Sequence, residues 1–379
     1  MKDNFNKNNL EDLAIFGGQK TITKDFVKYS PIGEEETKAA KDVVSTGVLS
    51  QFIGKWGPDF LGGPKVKEFE RECEAFFNVK HAITVNSWTS GLVTAIGALD
   101  IEPGDEIIVT PWTMCSSATA ILHWNAIPVF ADIDKETYCI CPKSIEKNIS
   151  PFTKAIMSVD IGGHPADIDV INKIAKKYDL KVISDTAQAP GTFYKGKMAG
   201  TLTDIGGYSL NYHKHIHTGE GGILVTNNDY LADRMRLIRN HAEASMEDIN
   251  LPNINNMLGH NFRLGEIECA IGIEQLKKLK KFVHSRQIAA SKLNKGLSNL
   301  KGLKIPSVAD DCTHAYYLYF MQIKYKEIGI SRDKIFDALV AEGVPGLSKT
   351  FANLHLLPLY QKKECHMEML QHNYNFYYC

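Results

Sequence analysis

The chain has 379 residues, 44% hydrophobic and 23% charged, with a formal net charge of −1. A balance this even provides no long-range field to gather a polyanion, so nucleic-acid binding is not expected. The length exceeds what one hydrophobic core normally fills, so two domains are expected. No stretch approaches the ~18 consecutive apolar residues of a membrane span, and the opening MKDNFNKNNLEDLAIF is polar and acidic where an export signal is basic and then apolar. A soluble, cytoplasmic protein is the expectation. Its eight cysteines are scattered without a CxxC pair and read as free thiols in a reducing compartment.

The first 60 or so residues are irregular and glycine-rich in places (FGGQK, SQFIGKWGPDFLGGP), the composition of loops that cover a site. Val66, Phe69, Cys73 and Phe76 then recur at helical spacing, HAITV (His81 to Val85) reads as a buried strand, and Thr89 to Leu99 reads as a helix of small residues packed on it. EIIVT, IPVFADI, KAIMSVDI and KVISDTA are further apolar, β-branched runs. DIDVINKIAKKYD, between the last two, carries an aspartate as its candidate helix N-cap. DIGGYSL and GGILVTNN flank a glycine-rich loop, the helix candidate DYLADRMRLIRNHA follows, and a long helical pattern starts near Leu264. Beyond it HAYYLYFMQIKY is strand-like and RDKIFDALVAEG helix-like. The alternation defines an α/β fold on a mainly parallel sheet, with a large domain over residues 1–263 and a small C-terminal domain over 264–379.

Three local patterns point to one chemistry. Lys214, in YSLNYHKHIHTGEGG, follows a strand-like run and precedes Gly219, Gly221 and Gly222, where backbone can approach a ligand closely. A lysine so placed suits the Schiff base by which pyridoxal phosphate is held and the proton transfers that follow. Asp185, in KVISDTAQAPG, closes an apolar strand at the end where α/β sheets bind ligands, and a carboxylate there suits a protonated pyridine nitrogen. Gln188, three residues on, is the candidate hydrogen-bond partner of the ring hydroxyl. NSWTSGL (Asn86 to Leu92) joins a strand to a helix start with Ser87, Thr89 and Ser90 as hydroxyl donors, an arrangement that suits a phosphate, and Ser209 adds another hydroxyl. Each taken singly has a bland counterpart: a surface lysine, a turn aspartate, an ordinary N-cap.

Taken together, LAIFGG, NSWTSGL, TPWTMCSSATAIL, SDTAQAPG, SLNYHKHIHTGEGG and GHNFRLGEIECAIG resemble the DegT/DnrJ/StrS sugar aminotransferases, over roughly residues 13 to 360. The resemblance implies the aspartate aminotransferase fold, fold type I: a large domain with a mainly parallel seven-stranded sheet flanked by helices, binding pyridoxal 5'-phosphate, plus a small C-terminal α/β domain. It implies Lys214 as the catalytic residue that bears the cofactor, Asp185 on the ring nitrogen, Gln188 on the ring oxygen, and Trp88, Thr89 and Ser209 at the phosphate. It also implies a homodimer with shared active sites, Asn261 reaching the neighbouring subunit's phosphate.

Three features depart from the family pattern. Trp88 stands where the phosphate loop usually has glycine. Met114 replaces the aromatic that commonly stacks on the ring, with Trp112 as an alternative. The end of the chain, QKKECHMEMLQHNYNFYYC, is shorter than in family members, so the small domain reads as truncated or as disordered at its tail. No metal is expected: His213, His215 and His217 alternate along the chain but lack an acidic or cysteine partner at familiar spacing.

The function expected is transfer of an amino group from L-glutamate or glutamine to a ketone. Candidate acceptors are a nucleotide-linked sugar, a cyclitol, since LAIFGG also occurs in members acting on cyclitols, or a small keto-phosphate. Polysaccharide or secondary-metabolite synthesis is the setting. The alternatives are a dehydratase of the same fold, against which a lysine at position 214 argues because such relatives carry histidine there, and a non-catalytic regulatory protein. An oxidoreductase is disfavoured because no GxGxxG follows the first strand.

Overall fold

A computed structural model describes residues 10–362, apart from positions 28, 246–248, 250, 252, 254–256, 350 and 352. The chain divides into two compact units, each assembled from separate stretches of sequence: Pro31–Ala290 with Ser307–Tyr319 and the segment that follows Phe351, and Ser291–Pro306 with Phe320–Phe351 and the segment ending at Ser30. Positions 363–379, and with them the short end noted above, lie outside the described residues.

The larger unit is built on a seven-stranded sheet. Its strands are β1 (His81–Val85), β2 (Glu106–Val109), β3 (Ile127–Phe130), β4 (Thr153–Val159), β5 (Lys181–Asp185), β6 (Ile205–Ser209) and β7 (Gly222–Thr226). They lie in the order β1-β7-β6-β5-β4-β2-β3, with β7 antiparallel to both its neighbours and all other pairs parallel. Most of these strands are buried on both faces, which is why they read as continuous apolar runs. Side chains alternate between the two sides: Leu224 packs with Ile83, Leu92 and Ile96 on one face, while Ile223 and Val225 pack with Val66, Phe69 and Phe77 on the other.

The helices α1 (Glu34–Thr46), α2 (Pro64–Phe77), α3 (Trp88–Ala98) and α4 (Ser116–His123) accompany the first strands. The irregular reading of the first 60 residues is thus corrected by α1, which escapes notice because it buries only Glu36 and Val43. In α2 the buried face ends on Phe77, which stacks on Tyr208 with ring centroids 4.1 Å apart, and Phe76 is only half-buried. The helix Ile168–Tyr178 begins after Asp167 as anticipated, but that carboxylate makes no cap bond and instead accepts from Tyr194 Oη at 2.8 Å.

In the smaller unit the helix Arg332–Ala341 is capped by Ser331, and Leu303–Lys304 pairs with Gln322–Ile323. Glu342 secures the first segment, accepting from the N–H of Ala14 and from the N–H and hydroxyl of Thr21. The strand expected over HAYYLYFMQIKY forms only at Gln322–Ile323. The part of that run before Phe320 belongs to the larger unit, where Ala315 and Leu318 donate to the carbonyls of Gly163 and Gly162 and His314 stacks on Tyr316.

Candidate active site

The parallel strands point their C-terminal ends to one edge, where an α/β sheet gathers ligand-binding groups. Asp185 is the last residue of β5 and Ser209 the last of β6, and Lys214 follows five residues later on a folded loop. That loop is held by Leu210 N–H to Gly221 O, Lys214 N–H to Asn211 O, and Thr218 N–H to Leu210 O.

Lys214 and Asp185 are both buried, 7% and 4% exposed, and their charges interact. Burial pushes the Lys214 amine down to about 8, opposed by the negative charge of Asp185. Its Nζ lies 4.2 Å from the centroid of the Tyr317 ring. Burial raises the Asp185 carboxyl above the usual value, and hydrogen bonds from Ser117, Trp88 and Ala187 pull it back, as does the charge of Lys214. The bonds are specific: Trp88 Nε1–H donates to Oδ1 at 2.6 Å, Ser117 Oγ–H to Oδ2 at 2.8 Å, and Ala187 N–H to Oδ1 at 3.3 Å. A carboxylate has about four acceptor positions, so these three leave one, on Oδ2.

Gln188 accepts from Gly162 N–H at 2.7 Å through Oε1. This fixes the amide so that its NH2 end is the donor left over. The first turn of α3 adds a second polar feature. Ser87 caps it, its Oγ accepting from Ser90 N–H at 3.0 Å, while the N–H groups of Trp88 and Thr89 precede any acceptor inside the helix. Thr89 is exposed there and Ser209 buried.

The Trp88 indole does not face that helix end. It is 5% exposed, packed in the core and turned to Asp185. Met114, just ahead of α4, is 54% exposed, whereas Trp112 lies against Tyr138 with ring centroids 5.4 Å apart. Asn261 is exposed beside the start of α3. Its backbone O accepts from the Asn86 side chain at 3.4 Å and its Oδ1 from Arg263 Nε at 2.7 Å.

The three alternating histidines go separate ways: His213 leans on Tyr317, His215 Nε2–H donates to Ala315 O at 2.9 Å, and His217 Nδ1 accepts from Gly219 N–H. Ser117 and Tyr317 are site residues that the sequence alone does not single out. One is a hydroxyl among several at a helix start, the other an aromatic in a run that reads as a strand.

A buried lysine and a buried carboxylate thus stand beside a helix N-terminus at the edge of a largely parallel sheet where such folds bind ligands. Residues 42–377 match the model of the DegT/DnrJ/EryC1/StrS aminotransferase family, and the chain belongs to that family. It is an aminotransferase by class. It is similar to the spore coat polysaccharide biosynthesis protein SpsC of Bacillus subtilis, 36% identical over 352 residues, covering 89% of this chain and 86% of that protein. Among solved structures it resembles the aminotransferase from Psychrobacter cryohalolentis, with a TM-score of 0.79, 29% identity, and coverage of 92% of this chain and 89% of that one. It also resembles the E. coli GDP-4-keto-6-deoxy-D-mannose-3-dehydratase with bound hydrated PLP, with a TM-score of 0.75, 26% identity, and coverage of 90% and 87%.

Proposed function

We propose that this protein uses pyridoxal 5'-phosphate, held by Lys214, to pass an amino group from L-glutamate or glutamine to a nucleotide-linked keto-sugar, with cyclitols and small keto-phosphates as the remaining acceptor classes. The observation that carries the reading is the buried Lys214 amine paired electrostatically with a carboxylate that retains one open acceptor position. A buried carboxylate needs a cationic or donor partner, and a protonated pyridine nitrogen fits that need. Asp185 and the residues around it therefore suit the group.

When bound, the cofactor supplies an electron sink conjugated to the nitrogen being transferred. Lys214 Nζ acts first as nucleophile and then as the base that takes up and returns the substrate's proton, and burial makes the free amine available near neutrality. Asp185 holds positive charge at the ring nitrogen. Gln188 offers its NH2 to the ring oxygen. The first-turn amides of α3 with Thr89 and Ser209 hold the phosphate, an anion favoured by the helix dipole. Met114 is the candidate for lying against the ring.

Asn261 fits a homodimer with shared sites: it is exposed, and with Oδ1 engaged by Arg263 its NH2 is left to donate to the neighbouring copy's phosphate. Among the described residues no helix is long and apolar enough to cross a membrane, and a cytoplasmic setting is part of this reading. The nucleotide-linked keto-sugar named for the E. coli relative and the polysaccharide role named for SpsC support the acceptor class.

The test is a half-reaction. Protein loaded with pyridoxal phosphate and given L-glutamate loses the visible absorption of the lysine-bound cofactor, and a keto-sugar restores it. Loaded protein whose spectrum no amino donor changes would refute the proposal.

A further inference from the structure

The indole of Trp88 sits in a slot made for it. On β6, an added Cβ at Gly207 would lie 2.2 Å from Trp88 Cη2 and 2.3 Å from the Ile223 carbonyl oxygen, and one turn into α3 stands Gly91, where a Cβ would lie 2.7 Å from Trp88 Cε3. Two missing side chains, one on a strand and one on a helix, thus clear the volume that the ring fills. What the ring brings into that volume is one polar atom, Nε1, whose hydrogen is aimed at Asp185 Oδ1 across 2.6 Å. Indole nitrogen donates and cannot accept, so it binds the ionised carboxylate more strongly than the protonated one, whose remaining acceptor oxygen carries no charge. Ser117 opposite is a weaker fixture, because its hydroxyl can turn round and accept; it also lies 3.3 Å from Thr113 Oγ1.

We propose that Trp88 is a positioning residue for the reaction: its N–H keeps the Asp185 carboxylate ionised and oriented, so that the open Oδ2 position faces the ring nitrogen of the cofactor. The position that a phosphate loop would fill with a backbone-hugging glycine is used here to reach beneath the site and set the group that governs the ring's charge. The proposal rests on the pyridoxal phosphate reading above, and it makes a separate claim about Asp185 that holds in the cofactor-free protein.

The test uses two variants of the full chain. Trp88→Phe removes the donor and part of the ring. Replacing Trp88 by 3-benzothienylalanine keeps the bicyclic shape and puts sulfur where the N–H was, so it reads the donor alone even if the phenylalanine variant folds poorly. In cofactor-free protein labelled with 13C at aspartate Cγ, the Asp185 signal, assigned by its loss in Asp185→Asn, titrates with its midpoint moved upward in both variants. In protein loaded with 15N-pyridoxal phosphate, the ring-nitrogen signal moves from the protonated toward the neutral position. The turnover number falls about tenfold, the loss expected for one charge-assisted hydrogen bond, while KM for the amino donor changes by less than about twofold. An unmoved Asp185 midpoint in the isosteric variant would overturn the proposal, as would loss of stability in both variants with an unchanged 15N signal. If wild-type protein does not bind the cofactor at Lys214, the functional reading fails, and the carboxylate titration still decides the role of Trp88.

Discussion

Lys214 Nζ lies 4.2 Å above the ring of Tyr317, on the π-face that attracts a cation. Burial lowers the lysine's proton affinity and the ring partly restores it, so the two residues together set the pH at which the free amine appears. Tyr317→Leu is therefore expected to move the pH midpoint of covalent cofactor attachment downward, by an amount worth about 1 kcal/mol, whereas Tyr317→Phe, which keeps the π-face, leaves it near the wild-type value. Stopped-flow absorbance between pH 6 and 10 measures both, and equal shifts in the two variants would assign the effect to the hydroxyl instead.

The same lysine makes stability depend on pH. Its amine is pushed down to about 8 in the folded protein from an ordinary 10.5. Below pH 8 it is protonated in both states and the whole cost of burying the charge, about 3 kcal/mol, is present. Between 8 and 10.5 the unfolded chain holds more protons, so this group's contribution to stability rises with pH. Urea unfolding of cofactor-free protein should show Lys214→Met ahead of wild type at pH 7, with the gap narrowing as pH approaches 10. A gap independent of pH would mean that the amine is not buried.

Asp185→Asn keeps an acceptor for Trp88 but carries no charge. The variant is expected to bind pyridoxal phosphate and to lose about 100-fold in turnover, the scale of one well-placed electrostatic group. Turnover within a few-fold of wild type would remove Asp185 from the mechanism.

Arg239 is fully buried and bonds Glu70 Oε1 at 2.5 Å and Thr84 O at 3.1 Å, tying α2, β1 and the helix Asp229–Arg239 together. Glu70→Ala leaves that guanidinium buried without its counter-ion and is expected to cost about 3–5 kcal/mol. Denaturant midpoints test this, and a loss under about 1 kcal/mol would show that water or another acceptor reaches Arg239.

Much of this architecture is legible before the structure. HAITV, EIIV and GILVT coincide with strands because a strand buried on both faces has no polar side to interrupt the run. Lys214 and Asp185 stand out because each follows such a run at the ligand-binding edge. What stays hidden is whatever depends on contact between distant segments. Trp88 and Asp185 are 97 residues apart, so the sequence shows an odd residue in a phosphate loop but not the carboxylate it meets. The helix Glu34–Thr46 lacks an apolar stripe, and the aromatic run before Gln322 is rich in strand formers, yet its amides find the carbonyls of Gly162 and Gly163. Nor does any local signal show that the segment ending at Ser30 folds with residues 291–306 and 320–351 through the Glu342 carboxylate.

The proposed function requires a covalent bond at one nitrogen, Lys214 Nζ. Protein incubated with pyridoxal phosphate, reduced with borohydride and digested should carry the reduced cofactor on the peptide containing Lys214 and, in Lys214→Ala, on no single site in stoichiometric amount. Stoichiometric labelling of another lysine in the wild-type chain, or none at all, would contradict the account.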